Sequence, residues 1–127
     1  MQNNFLSYFF LIILTFFSSH SLSGEQFNFN VTEVEILEDG NRFIGKKNGT
    51  ATTNDGVVIS ANKFDYDKKL NILIATGNVK ITDKTKEIDI YSQKVTYYKN
   101  KELIFTEGKS KAVDNEVIIN AKKKFEY

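Results

Sequence analysis

The chain contains no cysteine and no proline, and its single histidine is His20. Without cysteine there is no disulfide, no thiol nucleophile and no thiolate metal ligand. With histidine confined to the amino-terminal segment, zinc sites, Cys–His pairs and Ser–His–Asp triads are excluded from the rest of the chain. The lack of proline means that no strand is demoted on that ground. Charge of one sign is not in excess either: 17 Lys and Arg stand against 16 Asp and Glu, a formal charge of +1. Residues 1–23 carry none of these side chains, so the balance belongs to the remainder. A nucleic-acid binder carries a basic excess, and so does a protein held to a membrane surface by charge alone. Neither class fits.

A hydrophobic run long enough to cross a bilayer is missing too. Phe5 to Phe17 is apolar apart from Ser7, Thr15 and the Tyr8 hydroxyl, but it spans 13 residues, and a membrane helix needs about 20. That length fits the core of a signal peptide, and Ser21 and Ser23 supply the small residues for cleavage before Gly24. Residues 2–4, Gln-Asn-Asn, leave the α-amino group as the one positive charge ahead of the core, a departure from the usual pattern. A retained anchor is the alternative. The expected division is a signal peptide over 1–23, a lead-in over 24–30 and one β domain over 31–127.

What is present is a repeat. Gly49-Thr50-Ala51-Thr52-Thr53-Asn54-Asp55 recurs as Gly77-Asn78-Val79-Lys80-Ile81-Thr82-Asp83 and again as Gly108-Lys109-Ser110-Lys111-Ala112-Val113-Asp114. The spacings of 28 and 31 residues fall in the range of stacked architectures, in which no unit buries its apolar face alone. A second shared segment, Val58 to Tyr66, aligns with Asp89 to Tyr97, and a looser copy runs from Ile118 to Tyr127. By this pattern the chain stops in the middle of a unit.

Nearly every segment reads as strand. Phe27 to Val31 alternates apolar and polar, and Val34 to Ile36 alternates on the opposite parity, so a bulge is expected near Thr32-Glu33. Asp39-Gly40-Asn41 and Asn54-Asp55-Gly56 are turn signals. Arg42 to Gly45 reads as a short strand followed by a polar connection over Lys46 to Asn48. Further strands are expected at Val57–Ile59, Phe64–Tyr66, Leu70–Ala75, Val79–Ile81, Ile88–Ile90, Val95–Tyr97, Leu103–Phe105 and Val117–Ile119. Strands of four to seven residues with turns between them indicate an all-β sandwich, barrel or solenoid.

Catalytic groups are scarce. Glu33 with Glu35, and Asp65 with Asp67, place carboxylates on one strand face, as a glycosidase cleft would require, and equally as a solvated face would. Asp55, Asp83 and Asp114 suggest either calcium or turn chemistry, and the turn reading is preferred. The lysine clusters at 46–47, 68–69, 84 with 86, 99 with 101, and 122–124, all but the last in expected turns, read as solubility and edge protection, or as contacts to lipid phosphates at a groove rim. Period-2 alternation predicts that Ile72, Ile74, Val79, Ile81, Ile88, Ile90, Val95, Tyr97, Leu103 and Phe105 line one shared interior.

The units Val57-Val58-Ile59-Ser60-Ala61-Asn62-Lys63-Phe64-Asp65-Tyr66-Asp67 and Leu70 to Ile81, behind a cleavable signal, resemble the OstA-like domain of lipopolysaccharide transport, found in LptA and in the amino-terminal part of LptD. The likeness is most specific over Gly56 to Asp83, is repeated over Ile88 to Asp114, and is weaker over Val31 to Asp55. The resemblance implies a twisted β-jellyroll of two antiparallel sheets set in a V, with acyl chains in its apolar interior. It implies a lipid carrier with no catalytic residues and no cofactor, in the periplasm, free or associated with the outer membrane. The expected partners are lipopolysaccharide and other OstA-like proteins, joined by edge strands into head-to-tail oligomers, and no nucleic acid. The alternatives are a truncated amino-terminal piece of an outer-membrane assembly protein, or a structural β-repeat polymer or adhesin subunit.

Overall fold

The computed structural model describes residues 27–115, 118–122 and 124–127. The expected signal peptide lies outside them. Among the described residues every regular element is a strand, apart from two single 3₁₀ turns. Ten strands follow in order: β1 (Asn28–Leu37), β2 (Arg42–Thr52), β3 (Val57–Ala61), β4 (Lys63–Asp67), β5 (Ile72–Asp83), β6 (Ile88–Tyr98), β7 (Leu103–Glu107), β8 (Ser110–Val113), β9 (Ile118–Ala121) and β10 (Lys124–Glu126). All pairings are antiparallel.

The pairing divides into two half-sheets. The amino-terminal halves of β2 and β5 pair with β4, and their carboxy-terminal halves pair with β3. The carboxy-terminal half of β6 pairs with β7, and its amino-terminal half pairs with β8. One half-sheet therefore runs from the end of β1 through β2, β4, β5, β6 and β7 to β10. The other runs from the start of β1 through β2, β3, β5, β6 and β8 to β9. Long bent strands pass from one to the other along a shared fold line. The apolar residues of both half-sheets form one core, so the two layers face each other.

Four strands are longer than the sequence pattern predicts, at 10 to 12 residues. The polar links over Lys46–Asn48 and Gly77-Asn78 are bends inside strands. At these bends the backbone enters the left-handed region, with φ of 60° at Lys47, 66° at Asn48, 84° at Gly77 and 46° at Asn78. The bends lie against one another: the Asn48 N–H donates to the Asn62 carbonyl, and the Asn62 N–H donates to the Gly77 carbonyl, each at 3.0 Å. This line of crossing points is why the Gly-led motif repeats. Gly77 also has no room for a side chain, because a Cβ there would stand 2.6 Å from Asn62 Nδ2.

The bulge expected near Thr32-Glu33 is present, as a register shift between Val31 and Glu33. The lead-in assigned to 24–30 is not a separate segment where it is described. Asn28 to Asn30 open β1, and Phe27 is 2 % exposed within the core.

Candidate functional site

Registered neighbours trace the inner face strand by strand. In one half-sheet, Phe29, Ala51, Ile59, Ile81, Ile90, Ala112 and Ile119 stand side by side across seven strands. In the other, one row runs Ile36, Phe43, Tyr66, Leu73, Tyr97 and Ile104, and the next runs Val34, Gly45, Phe64, Ala75, Val95 and Thr106. The middle strands of each row are largely buried, and one end of each emerges: at β1 for the two rows of one half-sheet, whose β7 ends Ile104 and Thr106 stay buried, and at β9 for the row of the other. Val34 and Ile36 on β1 are 50 % and 55 % exposed, and Ile119 on β9 is 47 % exposed. The apolar inner face thus reaches solvent at β1 in one half-sheet and at β9 in the other. Among the described residues, the far sides of β1 and β9 pair with no strand.

Of the ten residues expected to line the interior, Val79, Ile81, Ile90, Val95 and Tyr97 are buried in the core, and Ile88 packs against it half-buried. Ile72, Ile74, Leu103 and Phe105 are a correction. They stand on the outer face, where Ile72, Tyr98 and Leu103 form one row and Ile74, Thr96 and Phe105 the next. Their inner-facing neighbours are Leu73, Ala75, Ile104 and Thr106. The runs Ile72–Ala75 and Leu103–Phe105 are apolar on both parities, so alternation does not mark a side. The bulge decides it. Thr76 pairs with Lys94 and Val79 with Ser92, so β5 spends an extra residue at the bend and keeps odd positions inward throughout. On β6 the inward positions change from Ile90 and Ser92 to Val95 and Tyr97.

The rims of the two half-sheets meet over this interior. Phe27 sits edge-on to Tyr66 and Tyr97, with ring centroids 5.1 and 5.7 Å away. Phe29 stacks on Phe43 at 4.2 Å, and so also joins the two layers. Lys99, in the 3₁₀ turn Lys99–Lys101 after β6, reaches Asp55 at 3.3 Å on the opposite rim and Glu102 at 2.5 Å on its own. The Tyr127 hydroxyl donates to Asp83 at 3.0 Å. Tyr97 donates to Glu102 at 2.7 Å, and Tyr66 donates to the buried Asn71 at 2.8 Å. The mouth between the layers is therefore closed by aromatic rings beneath polar bridges.

The electrostatics follow from this geometry. The Thr53 hydroxyl and the Lys99 ammonium hold the Asp55 carboxyl below its ordinary range, against partial burial. Burial works to lower the Lys99 pKa, but the hydrogen bonds it donates to Glu102 and Asp55 outweigh it and the net shift is upward. Burial, then the carboxylate partner, pushes the Tyr97 and Tyr127 hydroxyls well above their usual values.

The other chemistry-bearing residues are engaged in structure. Asp65 takes two hydrogen bonds from Arg42, at 2.8 and 2.5 Å. Glu33 and Glu35 pair with Lys47 and Lys46 at 3.0 and 2.9 Å. Asp83 caps its turn by accepting from the N–H groups of Thr85 and Lys86, as well as bridging to Tyr127. Among the described residues no group of three or more His, Cys, Asp or Glu side chains converges as a metal site would require. Sequence reasoning missed Phe27, placed in a lead-in, and Lys99, grouped with solubilising lysines although it is 9 % exposed. An apolar residue beside a lone strand start, and a lysine preceded by two tyrosines, are weak signals for a rim contact.

No family model matches the chain, and no curated protein matches it in sequence. Solved structures do match. One is the crystal structure of LptH from Pseudomonas aeruginosa, described as the LptA-homologous periplasmic component of the conserved lipopolysaccharide transport device. The likeness covers 80 % of this chain and 74 % of that one, with a TM-score of 0.71 and 11 % sequence identity. The chain has the β-jellyroll fold of that protein.

Proposed function

We propose that the domain is a non-catalytic periplasmic carrier in lipopolysaccharide transport, which holds acyl chains between its two half-sheets and joins its neighbours edge to edge. The observation that carries this reading is the apolar strip on the inner face, open at both edge strands. An ordinary sandwich ends its core at polar or covered edges. Here the core continues outward through Val34 and Ile36 at one end and Ile119 at the other. Strand addition at these edges would join the strip of one molecule to that of the next. The likeness to LptH supports the same reading. Burying a methylene is worth about 0.8 kcal/mol, so a fourteen-carbon chain gains on the order of 11 kcal/mol without specific bonds, and can still slide.

The closed mouth defines the first step. The Phe27 ring and the Asp55–Lys99 and Asp83–Tyr127 bridges lie where a chain would enter from the side, so loading requires these contacts to part. One is a half-exposed ion pair and the other a single hydrogen bond to a carboxylate, each worth on the order of 1–3 kcal/mol, small beside the gain from burying the lipid.

Photoreactive residues test the path. Placed at Ile36, Phe43 and Ile119 on the inner face, they are expected to capture lipopolysaccharide. Placed at Ile74 and Phe105, equally apolar but on the outer face, they are expected not to. Equal capture at both sets would refute the inner path.

A further inference from the structure

Where β5, β6 and β8 bend, the strands cradle a second concavity of about 580 Å³, whose exposed lining is on the outer face and whose floor includes the buried Val79, Ser92 and Ser110. Four lysines line it, Lys80, Lys109, Lys111 and Lys122, and no acidic side chain does. They come from β5, the β7–β8 link, β8 and the β9–β10 link, so the sheet gathers them from distant parts of the sequence. Register fixes the arrangement. Lys80, Tyr91, Lys111 and Asn120 are consecutive neighbours across four strands, opposite in parity to the buried Ile81, Ile90 and Ala112. Asp89 shares this outer face but stands one row nearer the rim, opposite Val113.

Among the described residues Arg42, Lys46, Lys47, Lys94 and Lys99 each have an ion-pair partner, whereas other lysines, Lys63, Lys68 and Lys101 among them, have none; the four pocket lysines are set apart by sharing one lining that holds no acid. Glu107, which borders the same bend, is engaged by Lys94 at 3.1 Å. Among the described residues none of the four pocket lysines has such a partner. Like charges gathered in one hollow repel, and an anion seated among them would remove that cost. The remaining lining narrows the anion. Asn78, Gln93 and Asn120 present both donors and acceptors, which suits hydroxyl groups rather than a bare ion. Tyr91 is 40 % exposed and carries the Lys80 ammonium 5.6 Å from its ring centre, so a flat apolar surface lies directly beside a cation. The volume falls within the roughly 300–1,000 Å³ of small-molecule pockets, well beyond the needs of one inorganic anion.

We infer that this hollow is a second binding site, for a phosphorylated sugar, in which the lysines take the phosphate groups, the amides take the hydroxyls and Tyr91 takes the C–H face of the ring. Lysine acts at such a site as a compact point charge, without the fixed fork that arginine brings. The site shares no residue with the rim bridges and does not depend on the lipid path.

The test is a titration of the full-length protein followed by nuclear magnetic resonance, with four probes: a glucose bisphosphate, inorganic phosphate, glucose, and phosphatidylglycerol vesicles. The glucose bisphosphate is expected to give saturable shifts centred on Lys80, Tyr91 and Lys111. Inorganic phosphate should bind at least about tenfold more weakly, and glucose should produce no saturable shift. Joint Lys80→Gln and Lys111→Gln substitution should weaken bisphosphate binding by about tenfold or more, with the thermal midpoint unchanged, whereas Lys68→Gln with Lys69→Gln should not. Equal losses from the two pairs would reduce the effect to general surface charge and overturn the site. Equal binding of phosphate and the bisphosphate, or binding to vesicles alone, would overturn the sugar assignment.

Discussion

Three glycines occupy one motif position, and the fold uses them differently. Gly77 combines a φ of +84° with Asn62 packed where a Cβ would stand, whereas Gly108 has a φ of +88° but room for a Cβ, with Gln93 Cβ at an ordinary 3.9 Å. Gly77→Ala should therefore cost strain plus a clash, about 3 kcal/mol, and Gly108→Ala the backbone strain alone, about 1 kcal/mol. Denaturant unfolding of the two variants checks the order. Lys99 offers a second residue-scale prediction. It is nearly buried, but its carboxylate partners are half exposed, so Lys99→Gln should cost about 1 kcal/mol, nearer to a surface pair than to a buried one. The pH dependence has two limbs. Asp55 has a lowered pKa in the folded chain, so the unfolded chain takes up its proton first. The contribution of Asp55 is complete above the ordinary carboxylate value of about 4 and is lost as pH falls below it. Lys99 has a raised pKa, so its contribution is complete below about 10 and is lost as pH rises through the folded value. Thermal midpoints measured from acid to alkaline pH should show both limbs in the native protein, with both reduced by Lys99→Gln.

At the scale of the element, the proposed assembly rests on the edge strands. β1 carries Val34 and Ile36 inward but half exposed, and its outward Glu33 and Glu35 are tied to Lys47 and Lys46 on β2. β9 offers Ile118 and Ile119, 60 % and 47 % exposed, one on each face. An interface between unlike edges need not close, and so builds a chain of molecules. Ile36→Lys or Ile119→Lys should each abolish concentration-dependent association in light scattering. Both residues are exposed, so the thermal midpoint should shift little. Association that survives both substitutions would place the interface elsewhere.

At the scale of the whole molecule, two layers hinge along the line of bends and meet at a mouth closed by Phe27, Tyr66, Tyr97 and the rim bridges. To act as the proposed carrier, a molecule of this form must open at the mouth, at the ends, or both. The chain has no native cysteine, so cysteines introduced as Asp55→Cys with Lys99→Cys can be joined by a short bifunctional thiol reagent without competing reactions. The joined protein should keep its fold and lose lateral loading of lipopolysaccharide in a binding assay, and cleavage of the linker should restore it. Loading unaffected by the linker would assign entry to the open edges.

The sequence by itself determined the β class, the repeat and the places where the chain must turn back or bend. Each of these is local: strand propensity, a Gly with an Asp six residues on, and a parity change at Thr32-Glu33 are written in neighbouring residues. The inward positions of Val79, Ile81, Ile90, Val95 and Tyr97 were legible for the same reason, since polar neighbours mark their opposite side. Only the tertiary structure decided the side of Ile72, Ile74, Leu103 and Phe105. Their strands are apolar on both faces, and a bulge fixes the register only once the partner strand is in place. Tertiary structure also turned Lys46–Asn48 from a connection into a bend, brought Lys99 to Asp55 across 44 positions, and gathered four separated lysines into one hollow. Contacts between residues far apart in the chain arise from strand order, and no local pattern of residue types encodes that order.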